Sequence, residues 1–127
     1  ARLVGSEMCI RDRVNAFTGK GLKKNQKAMQ DYVRKLVNWR KTAPAIHHGK
    51  LTHFVPANKV YVYFRRAQEQ TVMVVMNQGA EAVDLDTSLF AEVTGAFTRG
   101  TDVISGKQHQ LGTLPVAGKT ALNLELN

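Results

Sequence analysis

The sequence has little of several features that mark other classes of protein. Its 127 residues include one cysteine, three prolines and one tryptophan. A single cysteine excludes a disulfide scaffold and a cluster of thiolate metal ligands. The longest apolar runs, such as Thr71–Met76, are far too short to cross a bilayer, so we expect no membrane partner. Length and composition together predict a globular chain with one modest core.

Acidic residues are also scarce, with ten against eighteen Lys and Arg, which gives a net charge of +8. The excess lies in residues 14–50, where nine basic residues face Asp31 alone, whereas residues 51–127 carry six basic and seven acidic residues. Because no aromatic residues alternate with these lysines, a solvated basic face is favoured over a nucleic-acid-binding helix. We therefore expect no nucleic-acid partner. Nucleic-acid binding by the basic helix is retained as the least favoured of three hypotheses about function, and the other two are given below.

Residues 1–13 share neither periodicity nor composition with the rest of the chain. The run Val4–Arg13 resembles the translation of sequencing-adapter read-through, so residues 1–13 are interpreted as a non-native or disordered leader. This interpretation removes Cys9, and with it the only thiol, from the native part of the chain. Gly5 and Arg11–Arg13 interrupt any apolar stretch of the kind a signal peptide needs, so export cannot be read from this sequence and the localisation is left open.

Residues 14–50 are predicted to be a loop followed by one amphipathic helix. The helix is expected to have Asn25 as its N-cap, and Pro44 is expected to end it. Its apolar side, at helical spacing, is formed by Met29, Tyr32, Val33, Leu36, Val37 and Trp39. If this side has lost a partner, the isolated chain should expose an apolar patch.

After Gly49 the apolar period changes from that of a helix to that of a strand, and residues 51–127 are predicted to be an all-β domain. The expected strands are Leu51–Val55, Lys59–Arg65, Thr71–Met76, Ala82–Leu85, Asp102–Ser105, Leu111–Val116 and Thr120–Leu126. Thr71–Met76 is apolar throughout and is expected to be central, with Ala67–Gln70 as its hairpin connection. About seven short strands at this spacing predict an antiparallel β-sandwich, so the fold class is mainly β.

The four histidines include a group of three, His47, His48 and His53, whose imidazoles are of a type that binds metals. On an extended backbone, adjacent residues point to opposite faces, and no Asp, Glu or Cys completes the group. We expect surface or interface histidines and no bound metal.

Gly118-Lys119-Thr120 has the form of the end of a phosphate-binding loop. That loop needs a glycine where Thr113 stands and must open a helix, whereas Thr120–Leu126 alternates as a strand. We interpret the segment as a turn and expect no cofactor.

The carboxylates that could act as a catalytic pair are Asp84 with Asp86, Glu92 and Asp102. Asp84 and Asp86 share a face where a strand runs into a loop, but the sequence provides no partner to position them, so a solvated strand edge is favoured. The serines show no nucleophile-elbow pattern. The sequence therefore predicts no catalytic residue.

Four aromatic residues, Trp39, Phe54, Tyr61 and Tyr63, could form a platform for stacking a sugar ring. All four lie in segments with apolar periodicity, which favours packing in the core or at an interface. Sugar binding by a surface tyrosine stays open.

Several segments together resemble one known family. Asn15–Leu22, Arg40–Gly49 (Arg-Lys-Thr-Ala-Pro-Ala-Ile-His-His-Gly), Val60–Arg65, Val72–Asn77 and Ala121–Leu126 follow one another as they do in α-amylase-superfamily enzymes of glycoside hydrolase family 13. The resemblance covers residues 14–127 and is strongest to bacterial neopullulanases and cyclomaltodextrinases. It implies the last helix of a catalytic (β/α)8 barrel followed by a Greek-key C-terminal β-domain.

The resemblance also implies that the catalytic carboxylates lie upstream of this chain. The first function hypothesis is therefore a structural domain that packs against its own missing barrel, in a periplasmic, secreted or cytoplasmic parent that hydrolyses α-1,4 or α-1,6 glucosidic bonds. The second is an autonomous carbohydrate-binding β-sandwich.

Overall fold

The computed structural model describes residues 17–127. The expectations for the leader, for Cys9 and for residues 14–16 lie outside the described residues. The chain divides into two compact units between Val37 and Asn38, and the first helix, α1 (Lys24–Arg40), runs across that boundary. No helix in the described range is long and apolar enough to cross a membrane.

Helix α1 begins one residue earlier than its predicted cap. The side-chain oxygen of Gln26 accepts a hydrogen bond of 3.0 Å from the backbone N–H of Lys23, which takes over one of the donors left unpaired at a helix start. Asn25 lies inside the first turn, so the prediction that it caps the helix was wrong. On the predicted apolar side, Met29, Val33 and Val37 are 62%, 47% and 46% exposed.

Pro44 does more than end the first helix. Ala43 is extended, as expected before a proline, and Pro44 then begins a second helix, α2 (Pro44–His48). Proline suits this first position because its fixed φ is already helical and its missing N–H would have no partner there. His47 and His48 are therefore helical, and the prediction that they lie on extended backbone was wrong.

The β-domain is an antiparallel sandwich of two unequal sheets, which confirms the predicted fold class. Its strands within residues 17–127 are β1 (Lys50–His53), β2 (Val60–Arg66), β3 (Thr71–Asn77), β4 (Val83–Asp86), β5 (Arg99–Asp102), β6 (Gln108–Gln110), β7 (Thr113–Val116) and β8 (Thr120–Leu126). The six-stranded sheet has the order β1-β2-β3-β8-β5-β6, and β4 pairs with β7 in the two-stranded sheet.

The main core lies between the two sheets. The inner sides of β2, β3 and β8 meet residues from β4 and β7, and the completely buried side chains include Phe64, Met73 and Leu124. Strand β3 is interior to the large sheet and has four consecutive buried residues, which confirms its predicted central position. The Ala67–Gln70 connection is also confirmed, because the N–H of Ala67 donates to the carbonyl of Gln70 at 2.8 Å.

One predicted strand was wrong. Asp102 is the last residue of β5, and residues 103–105 form a turn after it, because the Asp102 carboxylate accepts hydrogen bonds from the Ile104 N–H at 3.2 Å and from the Ser105 hydroxyl at 2.8 Å. The polar strand β6 was not predicted, nor were the 3-10 turn Thr87–Phe90 and the short helix α3 (Ala91–Thr94).

Asn77 ties the end of β3 to the second sheet. Its side chain is 3% exposed, and its amide nitrogen donates to the carbonyls of Glu81, Val116 and Ala117 at 2.9, 3.4 and 3.2 Å. Its oxygen accepts the N–H of Gly79 at 2.9 Å. One buried carboxamide therefore satisfies four backbone groups.

We predict that Asn77→Asp lowers the free energy of unfolding by about 3 kcal/mol, because it removes every donor from this network and places a carboxylate among carbonyl oxygens. Urea unfolding measures the change. Gln110→Glu makes the same chemical change at an exposed position of β6 and should have little effect. Equal losses in the two variants would show that the charge, and not the network, is responsible.

Candidate interface on the outer face of the large sheet

The chain enters the β-domain through a short segment that we call the joint, residues Trp39 to Gly49. At its centre Ala45 is completely buried against Val72 and Val74, which project from β3 on the side of the sheet opposite the main core. Trp39 packs on the same cluster, and its indole N–H donates a hydrogen bond to the Glu125 carboxylate on β8. The joint thus covers one end of the outer face of the sheet.

Arg65 on β2 holds the helical part of the joint. Its Nε donates to the carbonyl of Ala45 at 3.2 Å, and Nη2 donates to the carbonyl of Ile46 at 3.0 Å. These carbonyls belong to the last turn of α2, where carbonyl groups lack their full set of helical partners and a cation is favoured. From the β2–β3 connection, the Gln70 carboxamide oxygen accepts the N–H of Ala45 at 3.1 Å.

Gly49 is required where the joint passes into β1. A Cβ at this position would lie 2.1 Å from the carbonyl oxygen of Ala45, a contact that no side chain permits. The N–H of Gly49 donates to that same oxygen at 3.0 Å. Close approach of the backbone to α2 explains why a glycine stands here.

The rest of the outer face is uncovered. Tyr61 and Met76 are paired across β2 and β3, and Ala121 of β8 pairs with Met76 on its other side. The rings of Tyr61 and Tyr63 lie 5.6 Å apart at an angle of 36°, and both residues are half-buried. Burial raises the pKa of Tyr63 above its usual value, Tyr61 adds to the rise, and Arg65 opposes it. The phenol is therefore neutral at physiological pH.

This uncovered end contains a shallow cavity of about 580 Å³, which we call the outer depression. Its lining includes Pro56, Tyr61, Met76 and Ala121, with Lys59 and Lys119 beside them. Apolar atoms form most of the floor, and the lysines supply positive charge. The arrangement is suited to burying an apolar surface and offers no pair of groups for acid-base chemistry.

The sequence of the β-domain matches a known family. Residues 51–125, more than half of the chain, match the cyclo-malto-dextrinase C-terminal domain. This chain belongs to that family. The predicted resemblance to C-terminal domains of α-amylase-superfamily enzymes is thereby confirmed.

Solved structures similar to this cyclomaltodextrinase C-terminal domain agree in fold. AmyP E221Q in complex with maltotriose is 22% identical with a TM-score of 0.70, and the match covers 86% of this chain but 23% of AmyP. An Anoxybacillus α-amylase is 18% identical with a TM-score of 0.62, over 84% of this chain and 24% of that enzyme. The α-glucosyl transfer enzyme XgtA is 23% identical with a TM-score of 0.58, over 86% and 22%. This chain thus spans less than a quarter of each of these proteins.

The structure separates the histidines that the sequence groups together. His47 Nε2 lies 2.9 Å from the carbonyl oxygen of Lys41, and His48 Nε2 lies 2.9 Å from a Glu69 carboxylate oxygen. The rings of His53 and Tyr61 form a T-shaped pair with centroids 6.3 Å apart. Within residues 17–127, no three His, Cys, Asp or Glu side chains converge on a point that could hold a metal ion.

Two other candidate motifs of this cyclomaltodextrinase C-terminal domain lie at turns of the β-domain. Gly118-Lys119-Thr120 is a turn leading into β8, as predicted. The Asp86 carboxylate caps the 3-10 turn by accepting the Ser88 N–H at 2.9 Å. The hydrogen bonds from Ser88 lower the pKa of Asp86, which keeps the carboxylate ionised and is the opposite of what a general acid needs.

The four aromatic candidates fall into two groups. Phe54 joins the main core, where its ring lies 5.7 Å from that of Phe64, whereas Trp39 and Tyr63 belong to the joint cluster. Tyr61 remains accessible in the outer depression. Sequence reasoning missed Arg65 and Gln70, which hold α2, because their partners lie 19–25 residues away and leave no local signal.

We predict that Arg65→Ala loosens the joint, because the last carbonyls of α2 lose a charged donor, at a cost of about 1–3 kcal/mol. Amide hydrogen exchange of Gly49, whose N–H closes α2, should become faster and is the most direct measurement. Arg66→Ala removes the same charge at the exposed end of β2 and should leave that exchange unchanged. Similar exchange in both variants would contradict the proposed role of Arg65.

Proposed function

We propose that this chain is the C-terminal β-domain of a larger α-glucan-hydrolysing enzyme of the neopullulanase, cyclomaltodextrinase or α-amylase type, and that its role there is structural. Its family is that of such C-terminal domains, and the match covers less than a quarter of each of the similar enzymes. The observation that carries the proposal is the joint. Trp39, near the end of α1, is held to the β-domain by its hydrogen bond to Glu125, and α2 is held by Arg65 and Gln70, which is how a preceding domain would be fixed in place.

The catalytic groups are proposed to lie in the preceding barrel. A retaining glycosidase needs a nucleophilic carboxylate and an acid whose pKa is raised, positioned about 5 Å apart across the glycosidic bond. Two of the candidate carboxylates have structural positions in the β-domain, since Asp86 caps a turn and Asp102 closes the turn after β5. The parent enzyme, and not this segment, would act on α-1,4 or α-1,6 glucosidic bonds.

The test is to sequence the DNA upstream of codon 14 from an independent clone. We expect an open reading frame that continues into a (β/α)8 barrel, with two Asp and one Glu at the ends of barrel strands. Residues 1–13 should be absent from that clone. A start codon directly before codon 14 would refute the proposal.

A second function, an autonomous carbohydrate-binding module, is supported by the accessible Tyr61 beside Tyr63, because aromatic rings stack on the apolar faces of sugars. Native gel electrophoresis with amylopectin in the matrix separates the two functions. For a purely structural domain we expect the purified chain to migrate as it does without amylopectin. Retardation that Tyr61→Ala abolishes would favour the binding module, with Tyr32→Ala as the control for a tyrosine outside the sheet.

A further inference from the structure

We propose that two copies of this chain form a dimer with two-fold symmetry, in which β1 of each copy lies beside β4 of the other. The inference goes beyond the proposed function and does not depend on it, since both strands belong to the β-domain. It is supported by the outward-facing backbone groups of the two strands, by an apolar cavity between them, and by the opposite charges of the segments that contain them.

Strand β4 has a neighbouring strand on one side only, because it pairs with β7 in a two-stranded sheet. Directly after β4, the N–H of Thr87 donates to the carbonyl of Gly112 at 2.8 Å. Asp84 lies opposite Pro115, whose nitrogen has no hydrogen to donate. In an antiparallel pair the backbone groups of successive residues point alternately toward and away from the partner strand. Those of Asp84 and Asp86 therefore point to the free edge of β4.

Strand β1 is at the end of the six-stranded sheet and also has one free edge. The N–H of Phe54, directly after β1, donates to the carbonyl of Val62 on β2 at 3.2 Å. By the same alternation, the backbone groups of Leu51 and His53 point away from β2. Each of the two edges thus has two residues whose N–H and C=O groups are directed to where a further strand would pair.

The two free edges border one cavity of about 560 Å³, which we call the edge cavity. Its lining includes Phe54 and Val55, which directly follow β1, and all four residues of β4. Because successive side chains of a strand point to opposite faces, four consecutive residues line one cavity only along the edge of the strand. Both edges are therefore on the same side of the sandwich. A two-fold axis parallel to the strands would place β1 of one copy beside β4 of the other at two places at once.

Apolar side chains around the edge cavity are exposed. Val55 and Leu89, which line it, are 92% and 69% exposed, and Leu51 on β1 is 49% exposed. The floor includes Val62 and Phe90, which belong to the main core. A second copy placed over the opening would remove these apolar surfaces from water, which favours association.

The charges of the two segments are opposite. Residues 49–66, which include β1, contain four Lys or Arg and no Asp or Glu, whereas residues 81–92, which include β4, contain four Asp or Glu and no Lys or Arg. Within residues 17–127, none of these four carboxylates forms an ion pair. Pairing β1 with β1, or β4 with β4, would bring like charges together, which is how edge strands normally avoid association. Pairing β1 with β4 brings opposite charges together.

The experiment measures the dimer dissociation constant of the 127-residue chain by analytical ultracentrifugation. Every protein carries Met29→Glu and Val33→Glu, so that the exposed apolar side of α1 does not contribute to association. The charge is reversed at one residue of each edge, in the variants Asp84→Lys and Lys50→Glu. The matched control is Lys107→Glu, at an exposed lysine between β5 and β6.

At micromolar concentration we expect a dimer for the reference protein and for the Lys107→Glu variant. Asp84→Lys and Lys50→Glu should each raise the dissociation constant at least about tenfold, because a symmetric interface contains each residue twice. An equal mixture of these two variants should recover the dimer, since both strand pairs then join opposite charges, and misfolding of either variant would not give this recovery. A monomeric reference protein, or a mixture that stays monomeric, would overturn the inference while leaving the proposed function intact.

Disulfide cross-linking identifies the edges that are in contact. With Cys9→Ser added to the same background, Leu51→Cys is mixed with Asp84→Cys or with Asp86→Cys and oxidised, and mass spectrometry measures the disulfide between copies. The control mixes Leu51→Cys with Gln108→Cys on β6, the edge strand at the other end of the large sheet. At least one β1–β4 pair should cross-link about tenfold faster than the control, because the dimer holds its thiols at a high effective concentration. Equal rates, or faster linking of Leu51→Cys to itself, would contradict the pairing of β1 with β4.

Discussion

The organisation of this chain depends on the contact between the Arg65 side chain and the last turn of α2. Its guanidinium group reaches from the second strand of the sheet to two carbonyls in the last turn of α2, so it fixes this helical segment to the β-domain. A lysine could not do the same, because its single ammonium group lacks the planar fork that meets two acceptors at once. Removing the contact would leave the Ile46 carbonyl without this donor and weaken the hold of the sheet on α2, which would still be attached through Gln70 and the packing of Ala45.

The two faces of the large sheet have different roles. The inner face closes a conventional apolar core with the two-stranded sheet, and the Phe54, Phe64 and Phe90 rings pack there at centroid distances of 4.7 to 6.0 Å. The outer face is apolar in the middle strands, covered at one end and open at the other. The β-domain thus has a core of its own and also exposes an apolar patch on the outer face of its large sheet.

The spacing of apolar residues predicted those strands of the fold that have one or both faces buried. The bounds predicted for Thr120–Leu126 are those of β8, and the central position of Thr71–Met76 was predictable because nearly all its residues are apolar. The predictions were wrong where polar side chains determine the backbone conformation. Asp102 closes a turn through two hydrogen bonds, and Gln108–Gln110 forms a strand with no apolar signal at all. The outer depression was not predictable, since it is assembled from three strands and two turns that only the folded register brings together.

The position of β8 has a consequence for how the sheet assembles. This strand pairs with β3 on one side and β5 on the other, so the β5–β6 hairpin is connected to the rest of the sheet only through it. The strands therefore cannot join the sheet in the order in which they are synthesised, and β5 and β6 must wait for the last strand. Such long-range pairing slows folding, because a large loop has to close before the contacts that stabilise it form. In the interval the apolar edge of β3 has no partner strand, which makes it the segment most exposed to pairing with another chain.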